Sequence, residues 1–273
     1  MGNELFIMVF AALACTAGGL ASVVAAGEWD EFALAPLVRA GEAAAALLAA
    51  GLLALVFSLG RPELFFGMLG NTASAFFPVV VLSGISLLSL VAFCAAHYRG
   101  AEAASTRSLA LLSGAAALLL ALAAGKSLMM PWQPALNTWT IPTAFLGWAV
   151  SAADIAESAF APATRQKKLA TWAVGIASLG VLAYLTVILA NDGLLEDDTA
   201  LRPFTGDLAP LFWIGVVAVG IALPFLLARR FGMGESGASG KLLCARLVCV
   251  TIGAGAFHAM VYQLGMPAWH FFG

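Results

Sequence analysis

Eight apolar stretches, each about as long as a bilayer requires of a spanning helix, constrain this chain more than any other feature. They run over residues 5–26, 40–59, 72–96, 109–125, 139–161, 169–190, 210–228 and 242–265. A helix needs about 20 mostly apolar residues to cross the hydrocarbon core. The sequence therefore predicts an all-α polytopic membrane protein of eight transmembrane helices, forming a single integral domain over residues 1–273. The fourth stretch is the shortest, and Lys126 at its end can snorkel to the interface. Composition agrees: 62% of the 273 residues are hydrophobic and 10% are charged, against about 25% charged in soluble domains. Glu4 stands where a signal peptide carries basic residues, so the first stretch reads as a retained helix.

Orientation follows from the basic residues of the connections, because Lys and Arg concentrate on the cytoplasmic side. The loops after the odd-numbered stretches hold nine: Arg39, Arg99, Arg107, Arg165, Lys167, Lys168, Arg229, Arg230 and Lys241. The opposite side holds three: Arg61, Lys126 and Arg202. Both termini are thus expected on the non-cytoplasmic face. The same face receives the segments 58–71 and 131–139 and an acidic loop with Asp192, Glu196, Asp197, Asp198 and Asp207. Phe65, Phe66, Trp132, Trp139, Trp213, Trp269, Phe271 and Phe272 mark that boundary as an aromatic belt, from which some are expected to line a site for a flat lipophilic ring.

Several functions are disfavoured. A net charge of −2 leaves no basic stripe to neutralise nucleic-acid phosphates. Cys15, Cys94, Cys244 and Cys249 lie in or beside apolar stretches without the spacing of a zinc or iron–sulfur site, so no metal is expected. Membrane haem needs paired axial histidines on facing helices. The only histidines are His97, His258 and His270, and His97 falls at the opposite membrane face from the other two.

Ionisable residues inside the apolar stretches are functional candidates by default. Arg39 and Glu42 in the second, Asp154 and Glu157 in the fifth, and Arg246 in the eighth lie toward the cytoplasmic ends. Asp154 and Glu157 are three apart and share a helix face. Either an ion-paired knot between helices or a proton route fits this group. Toward the outer end, His258, Tyr262 and Gln263 occupy the eighth stretch, with His258 and Tyr262 on one face. Histidine exchanges protons near neutral pH. Arg61, Gln133 and Asn137 come from outer loops, and a pocket joining them to His258 is the best candidate site.

The segment Ser58-Leu-Gly-Arg-Pro-Glu63 then gains weight. It resembles the His-Leu-Gly-x-Pro element of the membrane anchor subunits of bacterial molybdopterin oxidoreductases, the dimethyl sulfoxide reductase anchor and its NrfD-like relatives. Asn71-Thr-Ala-Ser-Ala75 is similar to the start of that anchor's third helix. The run from Pro131 to Pro142 is similar to its outer loop before the fifth. The resemblance implies a multi-pass subunit of the bacterial cytoplasmic (inner) membrane that binds menaquinol and passes its electrons to an iron–sulfur subunit docked outside. That subunit in turn feeds a molybdopterin catalytic subunit. It implies no haem or metal in this chain.

Two positions depart from the family pattern. Ser58 replaces the family histidine, and the acidic residue early in the third helix has no counterpart near Pro78 and Val79. Serine hydrogen-bonds a quinol oxygen but does not take its proton at neutral pH. His258 is then the expected base, with Ser58, Arg61, Gln133, Asn137 and Tyr262 binding quinol. Pro78 is expected to kink the third helix. Two alternatives stay open: a structural anchor without a working quinol site, or a proton-coupled secondary transporter.

Overall fold

The computed structural model describes residues 2–29, 34–60, 63, 65–130, 133, 136–158, 163–191, 199–231 and 240–265. Helices account for nearly all of them: α1 (Gly2–Trp29), α2 (Leu34–Ser58), a short α3 (Phe65–Gly70), α4 (Phe77–Tyr98), α5 (Ala103–Lys126), α6 (Thr140–Glu157), α7 (Ala163–Ala190), α8 (Leu223–Phe231) and α9 (Gly240–Leu264). Ahead of α8, Leu211–Ala222 winds in wide π-type turns, which let Pro224 follow without an N–H to donate. Among the described residues there is no strand. The protein is an all-helical polytopic membrane protein.

A helix covers each of the eight apolar stretches. Six are long and apolar enough to cross a membrane: Glu4–Trp29, Ala35–Ser58, Phe77–Tyr98, Ala103–Lys126, Leu211–Arg230 and Gly240–Leu264. α6 has only 18 residues and carries two carboxylates, and the apolar helix found within α7, Gly175–Ala190, is shorter still.

α1 is the hub, packing against α2, α5, α6 and α9. Small residues make that possible, as in many membrane bundles where close backbone approach drives association. A Cβ at Gly19 would meet the α6 backbone at Ala149 and Ala153. Gly18 abuts Ala117 of α5 in the same way. α1 and α9 run antiparallel, because Thr16 bonds Thr251 (2.7 Å) while Glu4 receives the Tyr262 hydroxyl (3.3 Å). The start of the first helix and the end of the last therefore meet at one face of the bundle. α6 also lies against α9, with Phe145 beside Phe257 and Trp148 against Gly253.

Pro78 does not kink a helix. α4 begins at Phe77, so Pro78 occupies its first turn, where a missing N–H costs nothing and the fixed φ suits a helix start. Residues 72–76 form turns, in which the Asn71 carbonyl accepts from the Ser74 N–H and the Ser74 carbonyl from the Phe77 N–H.

Candidate functional site

His258 sits on α9 with 2% of its surface exposed. Phe145 of α6 meets its ring edge-on at 5.8 Å, and Phe145 also contacts Phe257, which contacts Tyr184 of α7. Its Nδ1 is buried and has no hydrogen-bond partner. Alternating small residues before it, Gly253 to Ala256, let neighbouring helices close in: Gly220 and the Trp148 ring pack on Gly253, and Ala12 lies against Gly255. Small residues thus place an imidazole inside an aromatic wall.

One turn further, the Tyr262 hydroxyl donates to Glu4 Oε1. Arg202 ties the connection ahead of Leu211 to this end of α9. Its Nη1 donates to the Gln263 carbonyl (3.2 Å), and Nε and Nη2 each donate to Asp207 (2.9 Å). These bonds hold the Asp207 carboxyl below its ordinary range. Gln133 belongs to the same corner, since a Cβ at Gly265 would lie 2.9 Å from its Oε1. Lys126 lies over the exposed Trp139 ring at 5.9 Å, as an interfacial anchor does.

The expected pocket is only partly assembled. His258, Tyr262 and Gln133 gather around the last two turns of α9. Ser58 is buried, but its Oγ donates to the Leu55 carbonyl of its own helix (2.6 Å), with no bond to His258, Tyr262 or Gln133. Asn137 is exposed, and its backbone N–H bonds the Gln133 carbonyl. Arg61 lies outside the described residues, as do Pro62, Trp132, His270, most of the acidic loop (192–198), and Trp269, Phe271 and Phe272. Of the described belt residues, Phe66, Trp139 and Trp213 are exposed.

At the other end of the bundle the five ionisable candidates fall into two groups. Arg39 and Glu42 are exposed on α2, and Glu42 receives the Tyr98 hydroxyl of α4 (2.6 Å). Arg246 is 4% exposed on α9; its Nη1 donates to Ser158 Oγ (3.3 Å) and its Nε has no partner. Asp154 lies within electrostatic reach of both Arg246 and Glu157, and its Oδ2 is buried without a partner. One knot of five does not form, because α2 packs on α1 and α4 while α6 packs on α9.

Sequence reasoning passed over Glu28. Its Oε1 lies 2.6 Å from His97 Nε2 and its Oε2 receives the Thr106 hydroxyl (3.2 Å), joining α1, α4 and α5. Both side chains of the pair are nearly buried, 10% and 13% exposed. The available signal was topological: Glu28 follows the first apolar stretch, His97 follows the third (72–96) and Thr106 precedes the fourth (109–125), so all three belong at one face. Among the described residues no group of three or more His, Cys, Asp or Glu is placed to hold a metal ion.

Compared with known proteins, the chain matches no protein-family model, and no curated protein is significantly similar to it.

Proposed function

We propose that the chain is the membrane subunit of a respiratory molybdopterin oxidoreductase, related to the dimethyl sulfoxide reductase anchor. In this reading it crosses the bacterial inner membrane eight times, with both termini outside, and oxidises menaquinol near the outer face. The observation that carries the reading is His258: a buried imidazole with an unpaired Nδ1 against Phe145. A quinol ring asks for an aromatic wall and a hydrogen-bond partner able to exchange a proton.

When bound, menaquinol supplies two electrons and two protons. His258 Nδ1 would accept one hydroxyl proton and the second would leave to water at the outer face, while Phe145 would flank the ring and Gln133 and Tyr262 would offer polar contacts toward the outer end. Tyr262, held by Glu4, is oriented rather than free to swing. The electrons leave to an iron–sulfur subunit at the outer face, and a molybdopterin subunit completes the complex.

A second reading, the structural anchor, is favoured by Ser58, whose hydroxyl is occupied by its own helix. The two separate in the purified complex. His258→Ala should lower menaquinol-dependent reduction at least tenfold while sparing turnover with an artificial donor to the catalytic subunit. Undiminished quinol activity leaves the anchor reading. Purification without an iron–sulfur or molybdopterin partner overturns both.

A further inference from the structure

Glu4 opens the apolar span of α1 and Leu264 closes that of α9, so the bonded pair Glu4 and Tyr262 stands in the last turn of both, at one surface of the bundle. Both residues are half-buried. His258, four residues earlier on the same face of α9, is 2% exposed. At about 1.5 Å per residue the two α9 positions stand roughly 6 Å apart along the helix, a span comparable to that between the two para oxygens of a quinol ring. Helical side chains lean toward the N-terminus of their helix, so the Tyr262 phenol leans over the turn that carries His258. α1 keeps the same register beside them, with Ala12 against Gly255 and Glu4 against Tyr262. From interior to surface the order is imidazole, phenol, carboxylate.

The chemistry of that bond sets what Tyr262 offers a ligand. An ionised carboxylate only accepts, so the single hydroxyl hydrogen of Tyr262 is committed to Glu4 Oε1. The phenolic oxygen then presents its lone pairs to a group on its inner side, and acts there as an acceptor. His258 Nδ1, buried and unpartnered, is the other acceptor one turn away. A quinol brings two hydroxyl donors, and this face of α9 carries two acceptors at matching separation.

We propose that Tyr262 and Glu4 form the outlet for the second quinol proton, an inference that rests on the reading of His258 as the base for the first. As the outer hydroxyl of menaquinol gives its proton to the Tyr262 oxygen, the Tyr262 hydrogen passes to Glu4 Oε1. Tyr262 ends neutral, as it began. Glu4 ends as a carboxylic acid, which releases the proton to water at the surface. One turnover thus places one proton on His258 and one on Glu4, and two electrons pass to the iron–sulfur subunit. The imidazole proton follows by the same pair after the quinone has left, when water in the vacated site bridges the turn between His258 and Tyr262. Glu4 touches no substrate atom and acts only through Tyr262.

The test uses the purified complex with menaquinol. Glu4→Gln keeps an oxygen to receive the Tyr262 hydroxyl, and so keeps the tie between α1 and α9, but removes the proton acceptor. It should lower kcat about a hundredfold, the low end of what one proton-transfer group supplies, with KM little changed. Glu4→Ala should lose as much and recover about tenfold on adding formate, a small carboxylate able to take the proton in its place. A parental kcat in Glu4→Gln overturns the proposal, and a concurrent loss of menaquinol activity in His258→Ala then leaves the proposed function standing. A loss in both Glu4 variants that formate leaves unrepaired makes the bond a tie between helices only, and overturns the proposal as well. Undiminished menaquinol activity in His258→Ala removes the base for the first proton, and both readings fall.

Discussion

Gly19→Ala should loosen the seam between α1 and α6 by an amount that the geometry sets. A Cβ there would lie 2.5 Å from the Ala149 carbonyl oxygen, 2.6 Å from the Ala153 nitrogen and 2.7 Å from the Ala152 Cβ. Ordinary contact begins at 3.4 Å, so the two helices must part by roughly 0.9 Å. Two of the three neighbours are backbone atoms, which cannot rotate aside. Overpacking of this kind costs about 1–3 kcal/mol, and three simultaneous clashes argue for the upper end. Alanine's better helix propensity returns up to about 1 kcal/mol. The net loss of about 2 kcal/mol is roughly a thirtyfold change in the closed-to-open ratio. Cys15, one turn away on the same seam, reads the opening: it is buried, with its thiol directed at the Phe145 carbonyl (3.6 Å). With Cys94, Cys244 and Cys249 replaced by Ala, labelling by a membrane-permeant maleimide should accelerate about thirtyfold in Gly19→Ala. A labelling rate equal to that of the Gly19 parent refutes the close-packing argument.

Gly84, by contrast, faces open space: a Cβ at that position would meet no atom within 4 Å. Gly84→Ala should therefore leave Cys15 labelling unchanged and raise resistance to unfolding in SDS by up to about 1 kcal/mol. Glu28→Leu strips His97 and Thr106 of their shared acceptor and should destabilise the bundle by about 1.5–3 kcal/mol in the same SDS titration. Replacing exposed Glu63 by Leu should leave it within about 0.5 kcal/mol of the parent. Thr251→Val removes the bond to Thr16 and should cost about 0.6 kcal/mol, the usual worth of such a bond between membrane helices. Asp207 has its carboxyl depressed in the folded state by Arg202, so the stabilisation is complete above the ordinary carboxyl value of 3.8 and fades as pH falls through the lowered folded value. Proteolysis of the 199–210 connection should therefore rise at acid pH in the parent and show no such rise in Asp207→Asn.

The helices were legible in the sequence because lipid imposes a simple requirement of length and apolarity; each of the eight apolar stretches carries a helix, and six of those are long and apolar enough to cross a membrane. Their ends were less so. α2 starts at Leu34 and not near residue 40, since Arg39 and Glu42 reach water from a helical backbone and need no loop to do it. Pro78 misled for a related reason: an apolar run gives no sign of whether proline stands in a first turn or deeper. Within the candidate site, the His258–Tyr262 face could be read from a spacing of four. The bonds from Tyr262 to Glu4 and from His97 to Glu28 could not, because they depend on the register between helices far apart in sequence. Ser58 shows the same boundary from the other side. Its position at a helix end was readable, but the choice of its own backbone as partner was not.

The bond between Glu4 and Tyr262 spans 258 residues of chain. A nascent polypeptide leaves the translocon from its amino end, so α1 enters the bilayer long before its partner α9 has been synthesised. Its small-residue face must wait, shielded by lipid or by insertion machinery, while α2, α5 and α6 arrive in turn. Of these partners α9 comes latest in the chain, and it fills the remaining side of α1. The packing of α1 against its four partners is therefore complete only once α9 has joined.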